Sequence, residues 1–213
     1  MSTATKTLRR DAQRNRERIV SSARTLFARD GVDVSVDDIT HEAGVGMGTL
    51  YRHFPTKEAL IDGVLEDAFD DLVGLAEEAA AAEDAWAGFT GFLEHALAQH
   101  AANRGLKDML ATHDPARERA QAMRERIRPL VERMIERAQA EGALRPDVTV
   151  EDVPLVFWSA SRVIETTEAV APELWRRYLG LLLDGLRAEA ATPLPAPPLT
   201  RAQWAKAARR RAS

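Results

Sequence analysis

The chain contains no cysteine. This excludes disulfides, thiolate metal sites and cysteine nucleophiles, and it suits a reducing compartment. No apolar run approaches the ~18 residues that a membrane-spanning helix needs. The first eighteen residues, MSTATKTLRRDAQRNRER, lack an apolar core and do not read as a secretory signal. Catalytic signatures are missing as well. There is no Gly-x-Ser-x-Gly, no phosphate-binding glycine loop and no His-Glu-x-x-His. His95 and His100 stand five apart, the wrong interval for one helical face and a shared metal. The chain therefore does not read as an enzyme, and no cofactor is expected. No alternating β pattern and no internal repeat is present, so the expected fold class is all-α, with about nine helices.

The 213 residues are 45% apolar and 29% charged, an ordinary balance for a chain with a real core. The net charge is −4, but its distribution is uneven. Residues 1–29 hold eight Lys/Arg against two Asp/Glu, and residues 201–213 hold five against none. Residues 61–200 hold 14 basic against 25 acidic residues. A basic amino end on an acidic body fits a nucleic-acid-facing module that leaves the rest of the protein off the phosphates.

The organising stretch is Ser35–Leu60, SVDDITHEAGVGMGTLYRHFPTKEAL. Ser35 and Asp38 form a capping box for a short helix whose face carries Val36, Ile39 and Ala43. Gly44 supplies a sharp turn. A second short helix, about Met47 to His53, sets Leu50 and Phe54 on one side and Thr49, Arg52 and His53 elsewhere. One helix braces and the next offers a polar face to a DNA groove, which is the logic of a helix-turn-helix. Pro55-Thr56 ends it, and Thr56 caps a long helix from Lys57 to about Ala82.

Upstream, residues 1–9 read as a disordered basic arm. A first helix is expected from about Asp11 to Arg29, with Ile19, Val20, Ala23, Leu26 and Phe27 as its apolar stripe. Downstream, helices are expected at Trp86–Ala101, near Gly105–Ala111, from Asp114-Pro115 to Gly142, after Thr149, and after Pro172. Pro129 is expected to kink or break the third of these. The domains thus read as 10–56 helix-turn-helix, 57–82 connecting helix, 83–190 larger helical domain, and 191–213 tail. The tail, proline-rich and then basic, reads as an extended linker ending in a short helix around Ala202–Arg209. Its preferred reading is solvated, with a DNA contact as the alternative.

Ile39, Ala43, Gly44, Val45, Gly48, Thr49, Leu50, Tyr51, His53, Phe54, Lys57, Glu58 and Leu60 together resemble the DNA-binding signature of TetR-family transcriptional repressors. The ordered run AGV, GTLY, HF, KEAL is specific, whereas an Ala-Gly-Val turn alone is weak. The sequence departs from the family at Gly46, where a serine often caps the recognition helix, and at Thr40, where alanine is usual. The resemblance implies backbone contacts from Thr49, Tyr51, His53 and Lys57, with Thr56 and Val36 also near phosphates. Base reading falls to Met47, Gly48, Thr49 and Arg52, the last by bidentate pairing with guanine.

It further implies a homodimer on a palindromic, double-stranded operator, in a cytoplasmic protein associated with the bacterial nucleoid. The dimer helices are expected near 151–168 and 172–188, both more apolar than a single core face requires. A C-terminal domain that binds an unknown small-molecule effector is also implied. Its candidate lining is Phe89, Phe92, Leu93, Met109, His113, Met123, Ile127, Phe157, Trp158 and Arg162. For each of these a core role is the competing reading, and Arg162 has Glu165 as an alternative partner. The expected function is a ligand-released repressor. A transcriptional activator, or a DNA binder without a ligand, is the alternative.

Overall fold

A computed structural model describes residues 3–102, 114–189 and 191–211. Among them are nine helices and no strand: α1 Thr3–Asp30, α2 Val36–Ala43, α3 Met47–His53, α4 Lys57–Ala81, α5 Ala85–Ala102, α6 Asp114–Ala140, α7 Val153–Thr167, α8 Leu174–Leu186 and α9 Arg201–Arg211. The chain is all-α, as expected. The helix expected near Gly105–Ala111 lies outside the described residues.

Two compact units emerge. The first comprises Met1–Leu72 with Ala102–Met123, and the second Val73–Ala101 with Arg124–Ser213. In the first unit the stripe expected on α1 is the core: Ile19, Val20, Ala23, Leu26 and Phe27 are all buried. They meet Ile39 and Ala43 from α2, Leu50 from α3, and Leu60, Val64, Leu65 and Phe69 from α4. Arg24 adds an ion pair to Asp67 of α4 at 3.5 Å.

One expectation changes here. The helix α1 starts at Thr3, eight residues before the expected Asp11, so residues 3–9 are helical rather than a disordered arm. No glycine or proline lies between Thr3 and Arg29, so nothing in that stretch stops the helix from propagating toward the amino end. On α6, Ala120 is buried in the head core, Met123 packs against that core, and Arg119 pairs with Asp62 of α4. The start of α6 therefore packs with the head.

In the second unit α5 is capped by Asp84, whose Oδ1 accepts from the Ala87 amide at 2.8 Å. It buries Phe89, Phe92, Leu93, Ala96 and Leu97. The helix α6 runs through Pro129 without a break. Proline removes one backbone donor and costs a helix interior ~3 kcal/mol. Ile127 before it, and Val131, Met134, Ile135 and Ala138 after it, are all buried, so packing on both sides offsets that cost. Arg137 of α6 donates to the carbonyls of Ala80 (2.9 Å) and Glu83 (3.2 Å), satisfying oxygens that the end of α4 leaves open.

Asp152 precedes α7 and makes no side-chain cap bond to that helix; its carboxylate turns back to Thr149 instead. It accepts from the Thr149 amide at 2.8 Å and from the Thr149 hydroxyl at 3.0 Å. Leu97 of α5, Ala160 and Ile164 of α7, and Trp175 and Leu179 of α8 then make one buried cluster.

Candidate nucleic-acid interface

The head's candidate surface is built from α2, α3 and the start of α4. Ser35 caps α2 as its sequence requires: Oγ accepts from the Asp38 amide at 3.1 Å and donates to the Asp38 carboxylate at 2.6 Å. Gly44 ends α2 at φ +61°, a left-handed conformation that a β-carbon disfavours. There is a second constraint at this glycine, because a Cβ would come within 2.7 Å of Arg18 Nη2. Arg18 donates to the Gly44 carbonyl at 3.4 Å, tying α1 to the turn.

Gly46 then starts α3 with no side-chain cap. Its carbonyl accepts from Thr49 at 2.9 Å and Leu50 at 3.2 Å, so only the side-chain half of the cap is missing. Leu50 anchors α3 at 1% exposure, and Phe54 closes it at 4%. Phe54 also lies under the Arg16 guanidinium, 5.6 Å from the ring centroid, and packs so closely on α4 that a Cβ at Gly63 would meet the ring at 2.7 Å.

With Leu50 and Phe54 turned inward, the remaining face of α3 turns out. Met47, Gly48, Tyr51 and Arg52 are exposed, while Thr49 and His53 are half-buried. Tyr51, at 44%, is one of the most exposed large apolar side chains of the head. No core contact asks for an aromatic ring there.

Thr56 caps α4, its Oγ1 accepting from the Ala59 amide at 3.1 Å. Lys57 is the first residue of α4, so a cation and the open amides of a helix start share one end of that helix, and both favour phosphate. Val36 is half-buried against the head core. All nine residues singled out for DNA contact thus lie on three consecutive helices or, for Thr56, at the cap of one. Thr40, a departure from the resembled pattern, is buried. Its hydroxyl donates to the Asp37 carbonyl at 2.9 Å and to Met47 Sδ at 3.7 Å, so it links α2 to the first residue of α3. That cross-helix link was not legible beforehand, because no spacing rule connects positions seven apart on two helices.

The residues named for a ligand are not brought together as one set. Phe89, Phe92, Leu93 and Ile127 are buried in the second unit. Phe157 is half-buried and meets His100 edge-on, with ring centroids 5.5 Å apart. Met123 packs on the head core instead. Arg162 faces solvent and pairs with Glu165 at 2.9 Å, its alternative partner. Trp158 lies against Trp204 of α9, with ring centroids 4.8 Å apart and planes tilted by 34°. Met109 and His113 lie outside the described residues. Two depressions open on the head, one of about 420 Å³ beside Arg14, Arg18 and Glu42 and one beside Arg29, Asp33 and His41. Neither is lined by a residue named for the sensor.

Comparison with known proteins agrees with this geometry. Residues 19–64 match the model of bacterial regulatory proteins of the tetR family, and residues 81–188 match that of the transcriptional regulator SbtR-like C-terminal domain. Over 64 residues the chain is 45% identical to an HTH-type transcriptional regulator of Staphylococcus aureus strain USA300. That match spans 30% of this chain and 35% of the relative. A TetR transcription regulatory protein of Mycobacterium vanbaalenii is similar over 84% of this chain and 99% of its own, with 32% identity and a TM-score of 0.69. A TetR transcriptional regulator of Streptomyces coelicolor is similar over 82% of this chain and 99% of its own, at 28% identity and a TM-score of 0.66. The head and the C-terminal helices each match, and the chain belongs to the TetR family of helix-turn-helix transcriptional regulators.

Proposed function

We propose that the protein is a ligand-responsive repressor that binds a palindromic operator as a homodimer and leaves it when a small molecule occupies the second unit. The observation that carries the reading is α3. Its inward residues are committed to the core, and its outward face presents Met47, Gly48, Thr49, Tyr51 and Arg52 next to Lys57. In protein–DNA interfaces phosphate contacts fix register and base-edge contacts specify sequence. Tyr51, His53, Thr56, Val36 and Lys57 take the first role and Arg52, with Thr49, the second.

A seven-residue recognition helix offers few contacts, so two heads on successive major grooves, about 34–36 Å apart, supply affinity and specificity. Three exposed apolar side chains support a dimer through α7 and α8. Tyr178 and Leu181 on α8 are 45% and 57% exposed, and Leu155 on α7 is 38% exposed. A second copy burying them would complete a four-helix bundle.

Release by an effector requires that it bind the DNA-incompetent conformation better. The test is a mobility-shift assay on DNA from upstream of the protein's own gene, with a metabolite panel. Release by one metabolite supports the reading. Retained binding with every metabolite, alongside raised transcription, favours the activator. Sedimentation as a monomer at micromolar concentration contradicts the dimer.

A further inference from the structure

The basic C-terminal helix is not loose in solvent, and it lies beyond the matched residues 81–188. Three contacts hold the segment that carries it. Arg145, 6% exposed, donates to the Thr192 carbonyl at 2.6 Å and to the Gly185 carbonyl at 3.2 Å. Residues 193–199, PLPAPPL, then run without helix or strand. Thr200 caps α9 through a reciprocal bond with Gln203, Thr200 Oγ1 to Gln203 Oε1 at 3.0 Å and the Gln203 amide to Thr200 Oγ1 at 3.3 Å. Finally Trp204 lies against Trp158 of α7, and Arg201 reaches Glu125 of α6 at 3.3 Å.

The hold on α9 itself is slight. The Arg201–Glu125 pair is exposed on both sides, 71% and 53%, and such pairs contribute little. Among residues 201–207 only Trp204 is even half-buried. An eleven-residue helix is marginal in water by itself. Its sequence, RAQWAKAARRR, carries five cations and no anion. A helix held this lightly costs little to detach from Trp158. From the anchor at Thr192, an extended proline-rich linker of seven residues reaches about 20 Å at ~3.1 Å per residue. Phosphate is the favoured partner. Trp204 is the only large apolar side chain on α9, too little for stable insertion into a lipid interface, while clustered cations bind phosphate without any apolar face.

We propose that α9 is a second, sequence-independent DNA contact, latched onto α7 by the Trp204–Trp158 ring pair and released to bind the phosphate backbone. The inference rests on the DNA-binding reading of the head. If the full chain binds no duplex at all, that reading fails. If the full chain binds and the tail does not matter, this inference alone fails.

The test uses the full chain, a truncation after Thr200, the charge variant K206Q/R209Q/R210Q/R211Q and Trp204→Ala, each on a duplex of random sequence across a salt series. Counterion release gives a slope of about −0.9 per phosphate neutralised, so the truncation and the charge variant should each flatten the log–log slope by ~2–4 and lose ~10-fold in affinity at low salt. Trp204→Ala keeps every cation and removes the latch, so it should keep the slope and bind as tightly as the full chain or ~2–5-fold tighter. Slope changes below ~1 for both charge-removing forms overturn the proposal. So does a loss in Trp204→Ala equal to that of the truncation. Sedimentation with anionic vesicles, lost on truncation while the DNA slope is unchanged, assigns the tail to membranes and also overturns it.

Discussion

Gly46 and Gly44 are two residues apart and have opposite requirements. Gly46 sits at φ −77° and ψ 152°, which any residue adopts, and a Cβ there meets nothing within 4 Å. Gly46→Ser should therefore add the missing cap and raise stability by a few tenths of a kcal/mol, read as a small upward shift of the urea midpoint. Gly44 is the reverse. At φ +61° a side chain is strained and would push on Arg18, so Gly44→Ala should cost about 1–2 kcal/mol in the same measurement.

A third residue prediction concerns pH. The hydrogen bond from Arg145 holds the Asp147 carboxyl below the usual carboxylate range, more strongly than its partial desolvation raises it. The folded-state pKa is the lower one, so the stabilisation is present above the unfolded-state value and disappears as pH falls through the folded value. Wild type should exceed Asp147→Asn in stability at pH 7, and the gap should close below about pH 4. A gap independent of pH would assign the effect to packing.

Among the elements, α6 and α3 make the sharpest claims. Because α6 crosses Pro129 intact, Pro129→Ala restores a backbone donor and removes the ring. It should raise stability by about 1–3 kcal/mol in chemical denaturation. A loss instead would mean that the proline ring itself fills the packing. On α3, Tyr51→Phe and Lys57→Ala should weaken binding to operator and random DNA alike, whereas Arg52→Ala should relax preference at one base position. Equal losses on both DNAs for Arg52→Ala would remove it from base reading. The amphipathic elements were legible because their periodicity is strong: the α1 stripe at Ile19, Val20, Ala23, Leu26 and Phe27 is the observed core. Ends were less legible. The amino end of α1 carries no apolar stripe, and a proline rule that holds for isolated helices yields to packing on both sides of Pro129.

At the scale of the molecule, the head and the C-terminal helices answer to different kinds of information. The order AGV, GTLY, HF, KEAL encodes a local motif, in which cap, turn and helix follow within 26 residues, and each part is set by its neighbours in sequence. The tail shows the contrary case. Read as a string, residues 201–213 are a solvated basic segment, yet Trp204 lies on Trp158, 46 positions away, and Arg145 holds Thr192. Nothing local announces a partner that distant.

The sequence by itself therefore determined the helical class and the helix-turn-helix head, because helix periodicity, capping and turn chemistry act over a few residues. Only the tertiary structure decided that Met123 packs with the head, that Arg162 faces solvent beside Glu165, that Thr40 reaches Met47, and that the basic tail is latched. Each of those depends on which distant surfaces meet, and burial of apolar area rewards contact without regard to separation along the chain.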